Sequence, residues 1–196
     1  MKHLLPALVL VPPGLLLSGC ISFGAKPPPS LLTLSPARSI AVGTVQNSAR
    51  ARTLVVQVPS TPSSLASTRV PVQATPTTLA YLKGAAWSEP PARLFARLVA
   101  DTLTANGTVV LSGVQSTDSP AGTLAGELRN FGVDATERAA VVTFDAALTR
   151  GGQPSVEKRR FEARVPLATV DAAGAGPALN DAANQVAAQV AEWAGR

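Results

Sequence analysis

The chain has 196 residues, a length that suits one domain once a leader is set aside. Its 17 basic and 12 acidic side chains leave a net charge of +5, too mild to demand nucleic acid as a partner. The one His and the one Cys are His3 and Cys20, so nothing beyond residue 20 can form a Ser-His-Asp triad, a Cys-His pair, a disulfide or a conventional zinc site.

The first twenty residues read as an export signal. Lys2 supplies a positive start, and an apolar run from Leu4 to Leu17 follows, broken by Pro6, Pro12, Pro13 and Gly14. A bilayer span needs about 20 apolar residues, and this run is too short and too interrupted. It ends Leu17-Ser18-Gly19-Cys20, a bacterial lipobox: small residues let the extended chain enter the peptidase, and the thiol accepts a diacylglyceryl group. Residues 1–19 are therefore expected to be cleaved and Cys20 to carry lipid, a palmitate-type amine acylation following. One acyl chain holds only marginally and two or three hold stably, at about 0.8 kcal/mol per buried CH₂. Ile21 stands where an Asp tends to retain lipoproteins at the inner membrane, which favours the periplasmic face of the outer membrane. Residues 20–30, with Pro27, Pro28 and Pro29, read as a tether, and 31–196 as a single periplasmic domain.

Leu31 to Leu34 reads as a first strand. Pro36 to Arg52 reads as a loop, with at most a short strand at Ile40-Ala41-Val42. Thr53 to Val58 is β-branched and stops at Pro59, a strand signature. Arg69 to Ala74 alternates around Val70 and Val72, and Pro71 suggests an edge or irregular strand. Thr77 to Leu82 gives another strand, and the three are spaced like hairpins. Ser88 as cap, Glu89, Pro90 and Pro91 announce a helix. Its apolar positions are Leu94, Phe95, Leu98, Val99 and Leu103, and Asn106-Gly107 stops it. Thr108 to Leu111 is a short strand.

Three longer strands follow. In 123–133 the apolar phase slips between Leu128 and Phe131, which predicts a bulge near Asn130. In 140–148 Val142, Phe144, Ala146 and Leu148 share a face. In 156–165 Phe161, Ala163 and Val165 oppose Lys158, Arg160, Glu162 and Arg164. Gly151-Gly152 turns the chain between these two, and the three strands read as an antiparallel meander with one wet face. After a break at Ala172–Gly176, Pro177 is expected to open a last helix striped by Leu179, Ala183, Val186, Val190 and Trp193. The fold class is α+β: a mostly antiparallel sheet with two amphipathic helices packed on one face.

A series of short motifs runs through this frame. After the lipobox come Leu31-Leu32-Thr33-Leu34, then Leu54-Val55-Val56-Gln57-Val58-Pro59. Leu65-Ala66-Ser67-Thr68-Arg69-Val70, Leu79-Ala80-Tyr81 and Trp87-Ser88-Glu89-Pro90 follow before the helix. In order and spacing the chain resembles the ABC-type transport auxiliary lipoprotein family. It departs at Leu31 and Leu32, where the family often has Tyr, and at Ser67, where it usually has Asp. The resemblance implies a non-catalytic accessory without a cofactor, serving a system of ABC ATPase, permease and MCE-domain protein. Such systems move lipids or other apolar compounds across a two-membrane envelope. The chain has no G-x-x-x-x-G-K-[ST] phosphate loop and no spanning segment, so it supplies neither ATPase nor permease. Two other readings share the anchor: an assembly lipoprotein supporting a β-barrel partner, and an anchored hydrolase using two acids.

Arg69, Tyr81 and Trp87 are the candidate partner contacts. For Trp87 and Tyr81, burial beside the helix is the stronger expectation, and for Arg69 a salt bridge or a solvated strand edge. Strand alternation sends Arg159 to the opposite face from Lys158 and Arg160, which breaks up an apparent basic patch. Sheet edges such as Arg69–Ala74 offer a route to a homo-oligomer.

Overall fold

The computed structural model describes residues 30–111, 120–152 and 154–196. The expected signal peptide, Cys20 and the tether up to Pro29 lie outside the described residues. Within them the strands are β1 (Thr53–Val56), β2 (Arg69–Thr75), β3 (Thr78–Ala86), β4 (Val109–Leu111), β5 (Gly122–Asp134), β6 (Ala139–Arg150) and β7 (Val156–Pro166). Two helices join them, α1 (Pro91–Ala105) after β3 and α2 (Ala172–Ala194) after β7.

The meander is present. β5 pairs antiparallel with β6 from Gly122↔Arg150 to Asp134↔Ala139, and β6 with β7 from Ala139↔Pro166 to Thr149↔Val156. The register slips between Leu128 and Asn130, so Leu128 and Phe131 both reach the same core face. The other edge of β5 takes two strands end to end, both parallel to it. β1 lies beside Thr123 and Leu124, and β2 beside Val133 and Asp134. Between them Ser60 bridges to Glu127, and a 3₁₀ turn at Ser63–Leu65 sinks Leu65 into the core. β4 adds to β1 in parallel, and β3 adds to β2 antiparallel.

This arrangement corrects two expectations. β1 and β2 are not a hairpin but successive stretches along one neighbour. Of the two readings Pro71 allowed, β2 is the irregular strand and not an edge: β3 and β5 flank it, and its register to β3 shifts twice. Pro71 is tolerated because it sits at the irregularity between Arg69 and Pro71, and the ladder to β5 starts only at Val72. Leu31–Leu34 forms no strand: Leu32 makes one bridge to Trp87. No strand forms at Ile40–Val42.

Both helices cover the face that carries Ala140, Val142, Phe144, Ala146 and Leu148 of β6 and Phe161 and Ala163 of β7. α1 docks through Leu94, Phe95, Leu98 and Leu103. Its cap position is Pro90, not Ser88, and no side chain caps the first turn; the Ser88 N–H bonds the Leu32 carbonyl instead. Pro91 follows as the first helical residue, where a missing N–H costs nothing. Gly107, at φ +88°, ends the helix as expected.

α2 begins five residues earlier than Pro177. Asp171 caps it, accepting the Gly174 N–H at 2.8 Å. Pro177 forfeits a helical hydrogen bond in the second turn, yet Ala175, Ala178 and Leu179 around it are buried in the core. That burial carries the helix through the break its composition suggests. Its other buried positions are mostly Ala, which lets the helix lie close to the sheet.

Candidate functional site

The sheet face turned away from the helices is the polar one. On it Tyr81 pairs with Pro71 across β3 and β2, Gly132 lies against the Pro71 carbonyl, and Gly132, Val141 and Arg164 continue the row on β5, β6 and β7. Gly132 is needed here because a Cβ on it would stand 2.5 Å from the Pro71 carbonyl oxygen. Val141 in this row is 2 % exposed yet stands apart from the core under the helices.

The neighbouring rows are charged. Asp145 accepts two hydrogen bonds from Arg160, Nε at 2.6 Å and Nη2 at 2.7 Å, and Arg129 stands 3.7 Å away. Glu162 takes the Thr143 hydroxyl at 2.8 Å and Arg164 Nε at 2.9 Å, and Arg164 also pairs with Glu137. The Arg160 fork holds the Asp145 carboxyl below the usual carboxylate range, and the Thr143 hydroxyl followed by Arg164 does the same for Glu162. Folding therefore lowers both pKa values. The stability these pairs contribute is present above the unfolded values, about 4, and is lost as pH falls through the depressed folded ones. The urea midpoint is expected to fall as the pH is lowered from about 5 to about 2, and Asp145→Asn to flatten that decline.

Arg69 and Tyr81 come together on this face. The Arg69 guanidinium lies 3.6 Å from the centroid of the Tyr81 ring, and Arg69 has no carboxylate partner among the described residues. Stacking fixes the guanidinium plane while its N–H edges stay open, a geometry that receives carboxylates or phosphates. Trp87 does not join them. It is 1 % exposed on the helix side, its ring edge-to-face with Phe131 at 5.1 Å, and offers a partner no surface. Arg159 is also on the helix side, over Phe161 at 5.1 Å, whereas Lys158 and Arg160 lie on the polar face. The ion-pair lattice of Asp145, Glu162 and Arg164 was not singled out from sequence. Its alternation was visible, but its partners are set by register.

Among the described residues no group of three His, Cys, Asp or Glu side chains is placed to hold a metal, and no helix is long and apolar enough to cross a membrane. The face offers a stacked cation beside a lattice of ion pairs.

Comparison with known proteins gives the chain a family. Residues 32–191 match the family described as ABC-type transport auxiliary lipoprotein component. No curated protein matches the sequence. The fold is similar to the crystal structure of protein XCC0632 from Xanthomonas campestris, with TM-score 0.64 and 24 % identity over 85 % of this chain and 91 % of that one. It is similar as well to the crystal structure of an uncharacterized protein, with TM-score 0.64 and 19 % identity over 84 % of this chain and 99 % of that one.

Proposed function

The chain belongs to the family of ABC-type transport auxiliary lipoprotein components, and from that premise we propose that it is the non-catalytic envelope accessory of an ABC transporter working with an MCE-domain protein. Lipid on Cys20 holds it to the periplasmic face of the outer membrane. The ATPase and permease are separate chains, and the cargo is a lipid or another apolar compound. The observation that carries this reading is the family match, which spans the folded domain from Leu32 to Ala191. The lipobox and the Pro-rich tether support the anchor. The polar sheet face, with Arg69 open, is the surface we assign to the partner.

Crosslinking in intact envelopes followed by affinity recovery tests the assignment. An MCE-domain protein is expected among the adducts; recovery of a β-barrel assembly partner alone would overturn it in favour of the assembly reading. Arg69→Ala is expected to cut recovery of the MCE-domain protein several-fold while lowering stability by no more than about 1 kcal/mol, since an exposed cation–π pair contributes little to folding. Unchanged recovery would remove Arg69 and Tyr81 from the contact.

A further inference from the structure

Between its hydrogen bonds to α2 and the start of β1 the chain runs over the surface of the domain, where Ile40, Val45 and Arg50 border a groove with Thr104 and Val109. Ser35 and Ala37 donate their N–H groups to the side chains of Asn180 and Asn184, at 2.9 and 2.7 Å. At the far end the Arg52 carbonyl accepts the Val109 N–H at 2.9 Å. Residues 38–51 are thus pinned at both ends, and their middle turns in solvent, closed by the Thr44 N–H on the Ala41 carbonyl. The tip carries Ile40, Val42 and Val45, exposed by 40, 106 and 90 %. The other large exposed hydrophobics, Leu31, Val58, Leu79 and Val156, are scattered singly along the chain, as is ordinary for a surface. From Pro36 to Arg52 the segment contains Arg38, Arg50 and Arg52 and no acidic residue.

Apolar side chains at one turn, Val42 and Val45 almost wholly in water and Ile40 in part, with cations on both flanks, have the composition that partitions into a lipid head-group region. The covalent geometry allows it. Leu31 is eleven chain steps from Cys20, and Val42 eleven more from Leu31. Each stretch spans at most roughly 36–40 Å, so the tether is long enough for Cys20 and Val42 to meet the same plane.

We infer that the Ile40–Val45 loop is a second membrane contact, its apolar tip set among the head groups of the leaflet and Arg38 and Arg50 on the lipid phosphates. The inference deepens the anchored reading of Cys20 proposed above. It also orients the domain. The loop leaves from the end of the sheet where β5 starts, since Thr53 Oγ1 accepts the Ala121 N–H. The β5–β6 turn at Thr136 lies at the other end of a 13-residue strand, roughly 40 Å away. Membrane contact at the loop directs that end into the periplasm.

The test is photocrosslinking of the full chain in intact cells, with p-benzoylphenylalanine at position 42 and, for comparison, at position 136. Lipid adducts are expected at least about ten-fold more often at 42 than at 136, because only the loop is placed among lipids. An adduct to protein at 42, equal lipid yields at the two positions, or no lipid adduct at 42 would each overturn the inference. The mass of the Cys20 peptide from the same sample reports acylation separately. Acylation without a lipid adduct removes the loop contact and keeps the anchor; an adduct without acylation does the reverse.

Discussion

Trp87→Ala is expected to lower the unfolding free energy by about 4 kcal/mol, the cost of emptying a large aromatic site in a packed core. The indole lies at the junction of three elements. The Trp87 backbone N–H donates to the Thr68 carbonyl at 2.7 Å just ahead of β2, the backbone also bridges to Leu32, and the ring meets Phe131 of β5 edge-to-face. Phe131 in turn stands 6.3 Å from Phe95, and Phe95 5.2 Å from Phe144, so the aromatic contacts run from the mouth of α1 to the middle of β6. Removing the first ring leaves that chain open at one end. Trp87→Phe should cost far less, within about 1.5 kcal/mol, because the apolar volume is mostly kept. The indole Nε1 finds no hydrogen-bond acceptor among the described residues, so its loss removes no bond. Urea titration followed by Trp193 fluorescence reads both variants, since Trp193 packs on Phe161 at 5.5 Å, away from the site. With a slope of about 2 kcal/mol per molar, the Ala variant moves the midpoint by about 2 M. Equal small shifts for both variants would place the indole outside the core and restore it as a surface residue.

The same residue shows how far a sequence carries. A Trp ahead of a helix reads as core because large aromatics are generally buried, and that reading needs no tertiary knowledge. The bulge at Asn130 and the outward turn of Lys158 and Arg160 were legible for a similar reason: side-chain alternation with period two is a local property. What failed was non-local. β1 and β2 look like hairpin partners because twelve residues of turn-rich chain join them, yet their shared neighbour is β5, distant in sequence. Pro71 signals an edge only if its neighbours need its N–H, and Gly132 opposite makes the close packing possible. Gly174, Gly176 and Pro177 imitate a break, whereas Asp171 was the usable cap signal. Of the candidate site, Arg69 and Tyr81 could be named from sequence, but their stacking depends on the β2–β3 register.

Gly126→Ala is expected to cost about 3–5 kcal/mol, combining overpacking with backbone strain. Gly126 adopts φ +155°, and a Cβ there would stand 2.2 Å from the Asp145 carbonyl oxygen and 2.7 Å from the Phe144 ring. Neither neighbour can withdraw freely. The carbonyl belongs to the long β5–β6 ladder, and the ring is held edge-to-face by Phe95. The strain divides between the two faces, which a second substitution can separate. Phe144→Leu in the Gly126→Ala background relieves the ring contact but not the carbonyl, so the double variant should recover about 1 kcal/mol relative to additivity. Full recovery would mean that the ring alone demands glycine; none would assign the cost to the backbone. The carbonyl part has a consequence on the polar face, because moving Asp145 shifts the carboxylate that Arg160 grips at both oxygens. A stably folded Gly126→Ala protein should therefore also lose part of the acid-dependent decline in its urea midpoint, a change that cavity or ring effects on the helix side would not produce.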